Sequence, residues 1–301
     1  MADPLQEVVA RLPDDLPSQK VALYLAFAEE EVVAAGLTEL PMVDNLRFAS
    51  IGVVVPPRLR RRGYGRQMFG YLREKCRAAD RSVLASQVGA PLGGTSAGES
   101  FARALGARCV LEELRSELKL ITIDRNVLNG LEGQARAHST GYEVVQWIDH
   151  APDDVVEDAA RLAGRLVTDA PTGELSLEAE HWDAARMRES ERETIDRGRI
   201  RAATGARLIG SGRLVASTEI VVPRSQPQIG YQWGTLVDPE HRGHRLGLLI
   251  KIANLRLLEH ELAGVEAVET WTATENTHMV AINKAIGFRP VERFGAWEVK
   301  I

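Results

Sequence analysis

Cysteine and long hydrophobic runs are both scarce in this chain. Only two of the 301 residues are cysteine, Cys76 and Cys109, and they stand far apart and outside any metal-ligand spacing. A disulfide framework is therefore excluded, and reduced, buried thiols in a cytoplasmic protein are expected. No run of about 18 apolar residues is present, so we expect no membrane-spanning helix and no membrane partner. The acidic start, MADPLQEVVARLPDD, has no apolar core and predicts no signal peptide.

An excess of positive charge is also missing. The sequence has 37 basic and 42 acidic residues, a formal net charge of −5, which argues against a protein that coats nucleic acid. Hydrophobic residues make up 45% and charged residues 26%, as in ordinary soluble globular proteins. At about 150 residues per domain, the length predicts two domains, each able to bury its own core.

Strand-like and helix-like segments alternate along the chain, and the same order occurs twice. In the first half we predict strands at 20–28, 31–40 and 46–55 in an antiparallel meander, a helix at 63–79, a strand at 82–88, a helix at 97–105 and a strand at 108–123. In the second half we predict strands at 142–148, 199–204, 213–222, 228–238, 266–273 and 290–300, and helices at 153–167, 177–197, 246–262 and 276–286. The polar stretch 126–140 is interpreted as a linker between a domain at 1–125 and a domain at 141–301. The pattern indicates a domain duplication.

One motif stands at the same place in each half, between a strand and a helix. It reads VPPRLRRRGYG in the first half and VDPEHRGHRLG in the second. When the copies are aligned on their shared proline, Arg60 matches Arg242 and Gly65 matches Gly247. A helix N-terminus offers unpaired amides, glycines let a phosphate approach the backbone, and arginines add permanent charge. The motif therefore predicts an anion-binding loop in each half.

Several alternative roles fit the residues of these loops less well. A Walker loop ends in Gly-Lys-Ser/Thr, which neither copy has, and a dinucleotide fingerprint needs a glycine where Met68 stands. The arginines between Arg58 and Arg66 suit a nucleic-acid patch, but Tyr64 is the only aromatic residue among them and the protein is acidic. A simple strand-to-helix connection is the remaining alternative. Two copies at matching positions argue against it.

Both loops resemble the R-x-x-G-x-G/A pyrophosphate loop of the GCN5-related N-acetyltransferases (GNAT family), which bind acetyl-CoA. Arg60, Gly63 and Gly65 match it in full, whereas Arg245 stands at the middle glycine of the second copy. The resemblance implies a tandem pair of α/β (α+β) domains, as in mycothiol synthase, each a mixed, mostly antiparallel sheet flanked by helices. It also implies contacts to the cosubstrate acetyl-CoA from Val53, Val54, Val55, Arg60, Arg61, Arg62, Gly63, Tyr64, Gly65 and Arg66 in the first half, and from Leu236, Val237, Arg242, Gly243, His244, Arg245, Leu246, Gly247 and Leu248 in the second.

A second signature follows the strand at 266–273. It is similar to the family's N-x-x-x-x-x-x-Y-x-x-x-G-F motif, with Asn276, Gly287 and Phe288 in place. The resemblance implies that Asn276 contacts the pantetheine or pyrophosphate arm of CoA. The residues by themselves predict a helix N-cap at Asn276 and a glycine stop at Gly287, and both interpretations can hold together. The first half has no matching asparagine, so we expect the second half to catalyse the reaction.

The family's tyrosine, which acts as general acid for the departing CoA thiolate, is replaced by Asn283. An amide cannot supply that proton. A thiol with a pKa near about 8.5 is nevertheless a tolerable leaving group, and general acid catalysis contributes typically about 10² to 10⁴-fold. Three alternatives follow for this position: Asn283 hydrogen-bonds the sulfur or the pantetheine, His278 donates the proton, or a water does.

The acceptor needs a base, because an aliphatic amine with a pKa near about 10 is mostly protonated at neutral pH. The resemblance implies a carboxylate on a central strand, for which Glu219 is the nearest candidate; alternatively Tyr231 and Gln232 orient a water, or Glu219 simply faces solvent. Acidic residues from Asp169 to Glu193 suit a cationic amine, although a charge-laced exposed helix explains them equally well.

These observations predict acetyl-CoA-dependent N-acetylation of a small-molecule amine by direct attack on the thioester. A backbone amide near Val237 would stabilise the oxyanion, as the family resemblance implies. No HxH, HExxH or Gly-x-Ser-x-Gly spacing is present, so neither a metal nor an acyl-enzyme is expected. A catalytically silent acyl-CoA sensor or scaffold is the alternative function. We expect a monomer or homodimer, with no nucleic-acid partner.

Overall fold

The computed structural model describes residues 17–169 and 173–301. The N-terminal stretch predicted to lack a signal peptide falls within residues 1–16, and residues 170–172 belong to the acidic segment of the expected acceptor site. Both stretches lie outside the described residues. Within the described ranges the chain forms eleven strands and seven α-helices.

The strands are β1 (Gln19–Ala28), β2 (Glu31–Pro41), β3 (Phe48–Val54), β4 (Val83–Ala90), β5 (Arg108–Lys119), β6 (Tyr142–Ile148), β7 (Arg199–Leu208), β8 (Leu214–Pro223), β9 (Ile229–Val237), β10 (Ala267–Ala273) and β11 (Arg289–Lys300). The α-helices are α1 (Tyr64–Arg77), α2 (Ala97–Ala104), α3 (Arg125–His138), α4 (Val156–Asp169), α5 (Ala184–Asp196), α6 (Leu246–Glu261) and α7 (Thr277–Ile286). Every predicted strand and helix is present. The largest difference is at α5, which begins seven residues later than predicted because Asp183 accepts a hydrogen bond from the Arg186 amide and caps the helix there.

Two compact units form, and neither is continuous in sequence. The N-terminal unit contains residues 17–113, 173–178 and 292–301, and the C-terminal unit contains residues 114–169 and 179–291. The end of the chain therefore completes the N-terminal unit, where β11 pairs antiparallel with β4. These units differ from the linear domains expected from the sequence.

The stretch predicted as a linker is the helix α3. Asp124 caps it by accepting hydrogen bonds from two first-turn amides, and Leu128 and Ala135 are buried on one face. Gly130 and Gly133 lower the helix propensity of this stretch and hide its period from a sequence reading. The helix is stabilised by packing against the core of the C-terminal unit, because its intrinsic helix propensity is low.

Each unit contains one parallel strand pair among antiparallel ones. The strand order is β1-β2-β3-β4-β11 in the N-terminal unit and β5-β10-β9-β8-β7-β6 in the C-terminal unit. The β3–β4 and β9–β10 pairs are parallel, whereas β1–β2, β2–β3, β4–β11, β6–β7, β7–β8 and β8–β9 are antiparallel. The predicted fold class, mixed and mostly antiparallel sheets flanked by helices, is confirmed.

The helices α1 and α6 follow the two loops and differ in burial. The helix α1 buries one face, on which Met68, Leu72 and Cys76 lie. The helix α6 is buried on nearly every side and includes Lys251, whose side chain is 2% exposed. The Lys251 Nζ lies 5.8 Å from the centroid of the Phe288 ring, and burial lowers the pKa of Lys251 to about 7.

Candidate active site

The loop arginine makes the same bond in both copies of the motif. Arg60 Nε donates to the carbonyl oxygen of Val55 at 3.2 Å, and Arg242 Nε donates to the carbonyl oxygen of Val237 at 3.2 Å. Each arginine thereby ties its loop back to the end of the preceding strand. The spacing that the two motifs share in sequence corresponds to a bond that they share in structure.

Both loops also use two left-handed residues, at the fourth and sixth positions after the shared proline. They are Arg61 (φ 65°) and Gly63 (φ 91°) in the first loop, and Gly243 (φ 87°) and Arg245 (φ 54°) in the second. A glycine and an arginine thus occupy these positions in opposite order. A left-handed backbone costs a residue with a side chain about 1–2 kcal/mol, so the surrounding loop must enforce it.

The helices that follow the loops start without a side-chain cap. Among the described residues, no side chain accepts a hydrogen bond from the first turn of α1 or α6, and neither first turn contains an acidic residue. The helices α2 and α7, by contrast, are capped by Ser96 and Asn276. First-turn amides without an internal acceptor, at the positive end of the helix dipole, fit an external phosphate group.

The last glycine of each loop faces a narrow space beside the strand end. A Cβ added at Gly247 would lie 3.7 Å from Val237 Cγ2 and 3.7 Å from Ile282 Cδ1, and one added at Gly65 would lie 3.6 Å from Val55 Cγ2. The strand end and the loop helix are therefore in close approach at this glycine. A larger side chain would fill the space that a phosphate group needs next to the backbone.

The parallel strands separate before they reach the loop. The β9–β10 register ends at Gln232 and Thr270, although β9 continues to Val237. In the N-terminal unit the β3–β4 register likewise ends at Ser50 and Ala85, four residues before β3 ends. An opening therefore lies between the two strands in each unit, and it leads to the anion loop.

A buried carboxylate anchors the second loop. Asp238, which directly follows β9, has a 5% exposed side chain and pairs with Arg161 at 2.9 Å and Arg165 at 2.8 Å, both on α4. Arg165 also pairs with Asp169 at 2.9 Å, and Arg242 pairs with Asp169 at 3.3 Å. This network, which the sequence reading missed, fixes α4 against the loop. In the sequence, the i, i+4 spacing of Arg161 and Arg165 was the feature that could have indicated two arginines on one face of a helix.

The other side of the second loop rests on α3 and β6. Arg245 donates to Gln134 Oε1 at 2.9 Å, and the Tyr142 hydroxyl lies 2.9 Å from His241 Nδ1. Burial raises the pKa of Tyr142, so its hydroxyl stays protonated. His244 packs near the Tyr142 ring, with the ring centroids 5.4 Å apart. The loop histidines are thus held by local structure.

Asn276 and Gly287 begin and end α7 as predicted. Asn276 Oδ1 accepts a hydrogen bond from the Met279 amide at 3.1 Å, and Gly287 has a φ of 120°. Both the N-cap and the glycine stop are confirmed. A contact of Asn276 with CoA stays a prediction.

Asn283, at the position of the family's tyrosine, is 4% exposed. Its Nδ2 donates to Thr272 Oγ1 at 3.1 Å, while its Oδ1 is buried without a hydrogen-bond partner among the described residues. The free group is an acceptor. It can receive a hydrogen bond from a thiol or an amide, but it cannot supply a proton.

A cavity of about 260 Å³ lies in the C-terminal unit between α4, α5 and the strands β7, β8 and β9. Three indoles, those of Trp147, Trp182 and Trp233, line it together with Glu219 and Arg201. Trp233 directly follows the last β9 residue that pairs with β10. The cavity wall therefore includes the first β9 residue beyond the β9–β10 pairing.

Glu219 stands at an irregularity of β8 and faces this cavity. The β8–β9 register shifts between Thr218 and Ile220, and Gln232 Nε2 donates to the Glu219 carbonyl oxygen at 2.7 Å. The Glu219 carboxylate is 30% exposed and lies 3.5 Å from Arg201 Nε. The structure thus brings a carboxylate to the cavity, and it uses the Gln232 amide to hold the strand.

The contacts of Tyr231 lie outside the cavity that contains Glu219. Its ring stacks on Trp271 with the centroids 6.2 Å apart, and its hydroxyl donates to Gln226 Oε1 at 3.4 Å. It is not among the described residues that line the cavity. Of the three catalytic candidates, only Glu219 is among the described residues that line the cavity; Tyr231 and Asn283 are not.

The sequence reading missed the cavity's tryptophans. Aromatic residues make up 5% of the chain, and only five residues are tryptophan, yet three of these line one cavity. The concentration of tryptophans in the second half of the sequence was the feature that could have indicated an aromatic site there. Nothing in their spacing along the chain places them together.

Neither a metal cluster nor a membrane-spanning helix occurs in residues 17–169 and 173–301. In these ranges no group of three or more His, Cys, Asp or Glu side chains is arranged to hold a metal ion. No helix in the same part of the chain has the length and hydropathy to cross a bilayer.

Comparison with known proteins gives structural relatives only. No protein-family profile matches the chain, and no curated protein does. A tandem GNAT protein from the clavulanic acid biosynthesis pathway, solved without AcCoA, is 28% identical with a TM-score of 0.79, covering 98% of this chain and 87% of that one. A GCN5-related N-acetyltransferase from Sphaerobacter thermophilus is 14% identical with a TM-score of 0.64, covering 92% of this chain and 80% of that one. One from Kribbella flavida is 13% identical with a TM-score of 0.56, covering 99% and 96%.

The fold, its two anion loops and these relatives define a protein of the acyltransferase class. More specifically, the chain is similar to a tandem GNAT protein over 98% of its length. The two relatives below 15% identity support the fold alone.

Proposed function

We propose that this protein transfers an acetyl group from acetyl-CoA to the nitrogen of a small-molecule amine, and that the C-terminal unit catalyses the transfer. One observation carries the proposal. The uncapped N-terminus of α6, the opening between β9 and β10, and the cavity that contains Glu219 follow one another along the same strand. The acetyl donor and the amine acceptor would meet near Trp233, the first β9 residue beyond the β9–β10 pairing.

The donor side is formed by the loop and the strand opening. The loop amides from Gly243 to Leu248 and the Arg242 side chain would bind the pyrophosphate, and β9 up to Val237 would flank the pantetheine arm. Asn276 would contact the same arm. A backbone amide near Val237 would stabilise the oxyanion that develops on the thioester carbonyl.

The chemistry is a direct transfer. Glu219 accepts a proton from the acceptor ammonium, directly or through a water, and the freed amine nitrogen attacks the thioester carbon. The carbon–nitrogen bond forms as the carbon–sulfur bond breaks, and CoA leaves as a thiolate. Because a thiolate is a weak base (thiol pKa about 8.5), protonation by water suffices. Asn283 Oδ1 would accept a hydrogen bond from the thiol.

The N-terminal unit has the same loop without the same surroundings. Its strands β1, β2 and β3 correspond to β7, β8 and β9, because each set of three leads into the loop. Among the residues that the structure describes, no helix precedes β1 in the place that α4 and α5 take before β7. The helix that corresponds to α7 is capped by Ser96. We assign this unit a role in CoA binding or stability, through Val53–Val55 and Arg60–Arg66.

Two measurements test the proposal. Acetyl-CoA should give heat in a calorimetric titration and raise the melting temperature, because a ligand that binds the native state stabilises it. CoA thiol should then be released when amines are supplied. The absence of both heat and a thermal shift at millimolar acetyl-CoA would contradict donor binding.

The alternative function is a catalytically silent acyl-CoA sensor or scaffold. The replacement of the family's tyrosine by Asn283, which offers only an acceptor oxygen, favours it. Acetyl-CoA binding without thiol release from any amine would establish this alternative. In either case Cys76 and Cys109 are free thiols, which suits the cytoplasm that we propose as its location. We propose a monomer or homodimer.

A further inference from the structure

We infer that the acceptor is a small primary amine with an aromatic or apolar body and no carboxylate group. The inference rests on the proposed function, since it takes the 260 Å³ cavity of the C-terminal unit as the acceptor site. The composition, rigidity, charge and volume of that cavity each support it.

The lining of the cavity is dominated by aromatic and apolar side chains. The indoles of Trp147, Trp182 and Trp233 are joined there by Leu162 and Leu166 from α4. Indole rings offer large flat surfaces that favour aromatic and aliphatic groups, and they interact well with cations. An amine with a flat apolar body gains from both effects.

Two of the three rings are held in place by the protein itself. Trp182 Nε1 donates to Glu180 Oε2 at 2.8 Å, and the Arg186 guanidinium lies 4.5 Å from the centroid of the same ring. The Arg199 guanidinium lies 5.9 Å from the centroid of the Trp233 ring. Rings that are already positioned lose little entropy when a ligand binds.

The charges of the cavity disfavour an anionic acceptor. Glu180, Glu191 and Glu219 line it, and Arg201 is the only cation among the described lining residues. Arg201 is engaged: its guanidinium donates to Thr194 Oγ1 at 2.7 Å, and its Nε, which lies 3.5 Å from Glu219, is sealed from solvent. Glu180 pairs with Arg186 at 3.7 Å and Glu191 pairs with Arg188 at 2.8 Å. Each of these cations is therefore already matched by a carboxylate, and a substrate carboxylate would add an uncompensated negative charge.

The volume limits the acceptor further. The cavity of about 260 Å³ lies just below the range of about 300–1,000 Å³ that is usual for sites of drug-sized ligands, which favours a small acceptor. An aromatic ring stacks on indole surfaces over its whole face, so an aromatic amine fits this lining better than an amino sugar does. Phenethylamine, with a phenyl ring, a short chain and a primary amine, has the predicted size and character.

The test compares three amines by their binding, so it does not depend on turnover. Phenethylamine, phenylalanine and glucosamine are titrated by calorimetry into the full-length protein saturated with CoA, which cannot donate an acetyl group. We expect phenethylamine to bind at least about ten times more tightly than either of the others, a difference of about 1.4 kcal/mol. Equal or tighter binding of phenylalanine or glucosamine, or no binding of phenethylamine at millimolar concentration, overturns the inference.

A pair of variants locates the binding site. Trp233 is 42% exposed and Ile209 is 58% exposed, so replacing either by alanine leaves the core intact. Trp233→Ala should weaken phenethylamine binding about tenfold or more, whereas the control Ile209→Ala should not change it. Equal affinities in both variants would place the binding elsewhere. If this pattern holds but acetyl-CoA yields no thiol with phenethylamine, the proposed activity fails and the ligand class stands.

Discussion

Arg245 takes, at the start of α6, the left-handed backbone that Gly63 takes at the start of α1. Their φ angles are 54° and 91°. The two loops therefore share one backbone course although the glycine of one corresponds to an arginine of the other. The second loop keeps the backbone course of a glycine-based loop motif because this position requires a left-handed conformation. A residue with a side chain can adopt that conformation at an energetic cost.

The strain at Arg245 is testable by substitution. Arg245→Gly should change the free energy of unfolding by less than about 1 kcal/mol, because relief of strain offsets the lost bond to Gln134. Arg245→Val should destabilise by about 1–2 kcal/mol more, because a β-branched residue adopts positive φ poorly. Denaturant unfolding measures both. Equal losses in the two variants would show that the side chain matters and the backbone conformation does not.

The two units should differ in their importance for turnover. Gly247→Glu should abolish acetyl transfer, because the new side chain fills the space beside Val237 and Ile282 and repels phosphate. Gly65→Glu should leave much of the activity while removing one binding equivalent or lowering stability. Circular dichroism and melting curves must show both variants folded. Activity in Gly247→Glu together with its loss in Gly65→Glu would assign the chemistry to the N-terminal unit.

Glu219→Gln tests the proposed base. The amide keeps the size of the side chain but cannot accept a proton at neutral pH, so kcat/KM for the amine should fall about 10² to 10⁴-fold. The affinity for acetyl-CoA should not change. If the variant lowers the melting temperature and leaves kcat/KM intact, the carboxylate acts only as the partner of Arg201.

Arg242→Ala should weaken acetyl-CoA binding about tenfold, because it removes both a cation and the bond that braces the loop against Val237. The equivalent variant Arg60→Ala provides the matched comparison. We expect Arg242→Ala to raise the KM for acetyl-CoA and Arg60→Ala to leave it nearly unchanged. The reverse order would mean that the first loop holds the reacting donor.

Lys251 makes stability depend on pH. Its pKa falls from 10.5 in the unfolded chain to about 7 in the folded protein, so between these values the unfolded state binds more protons and stability rises with pH. The full change across the interval is roughly 5 kcal/mol. Lys251→Met should raise the melting temperature at pH 7 and flatten this dependence. An unchanged slope between pH 7 and pH 10 would show that the ammonium group is not buried in the folded state.

The sequence by itself determined the local features of this protein. The strand, loop and helix order, the two anion loops and the capping of α7 by Asn276 and Gly287 all depend on residues that lie within a few positions of one another. Hydrogen bonds and backbone preferences act over that range, so the pattern of residue types is sufficient to predict them. The tandem resemblance depends on these same local motifs.

Only the tertiary structure decided the rest. The pairing of β11 with β4 joins residues about 200 positions apart, and the cavity assembles Trp147, Trp182 and Trp233 from three separate segments. The helix α3 forms where propensity predicted a linker, because its buried face packs on the core. Such contacts depend on which surfaces meet when the chain folds, and residues distant in the sequence carry no local signal of that meeting.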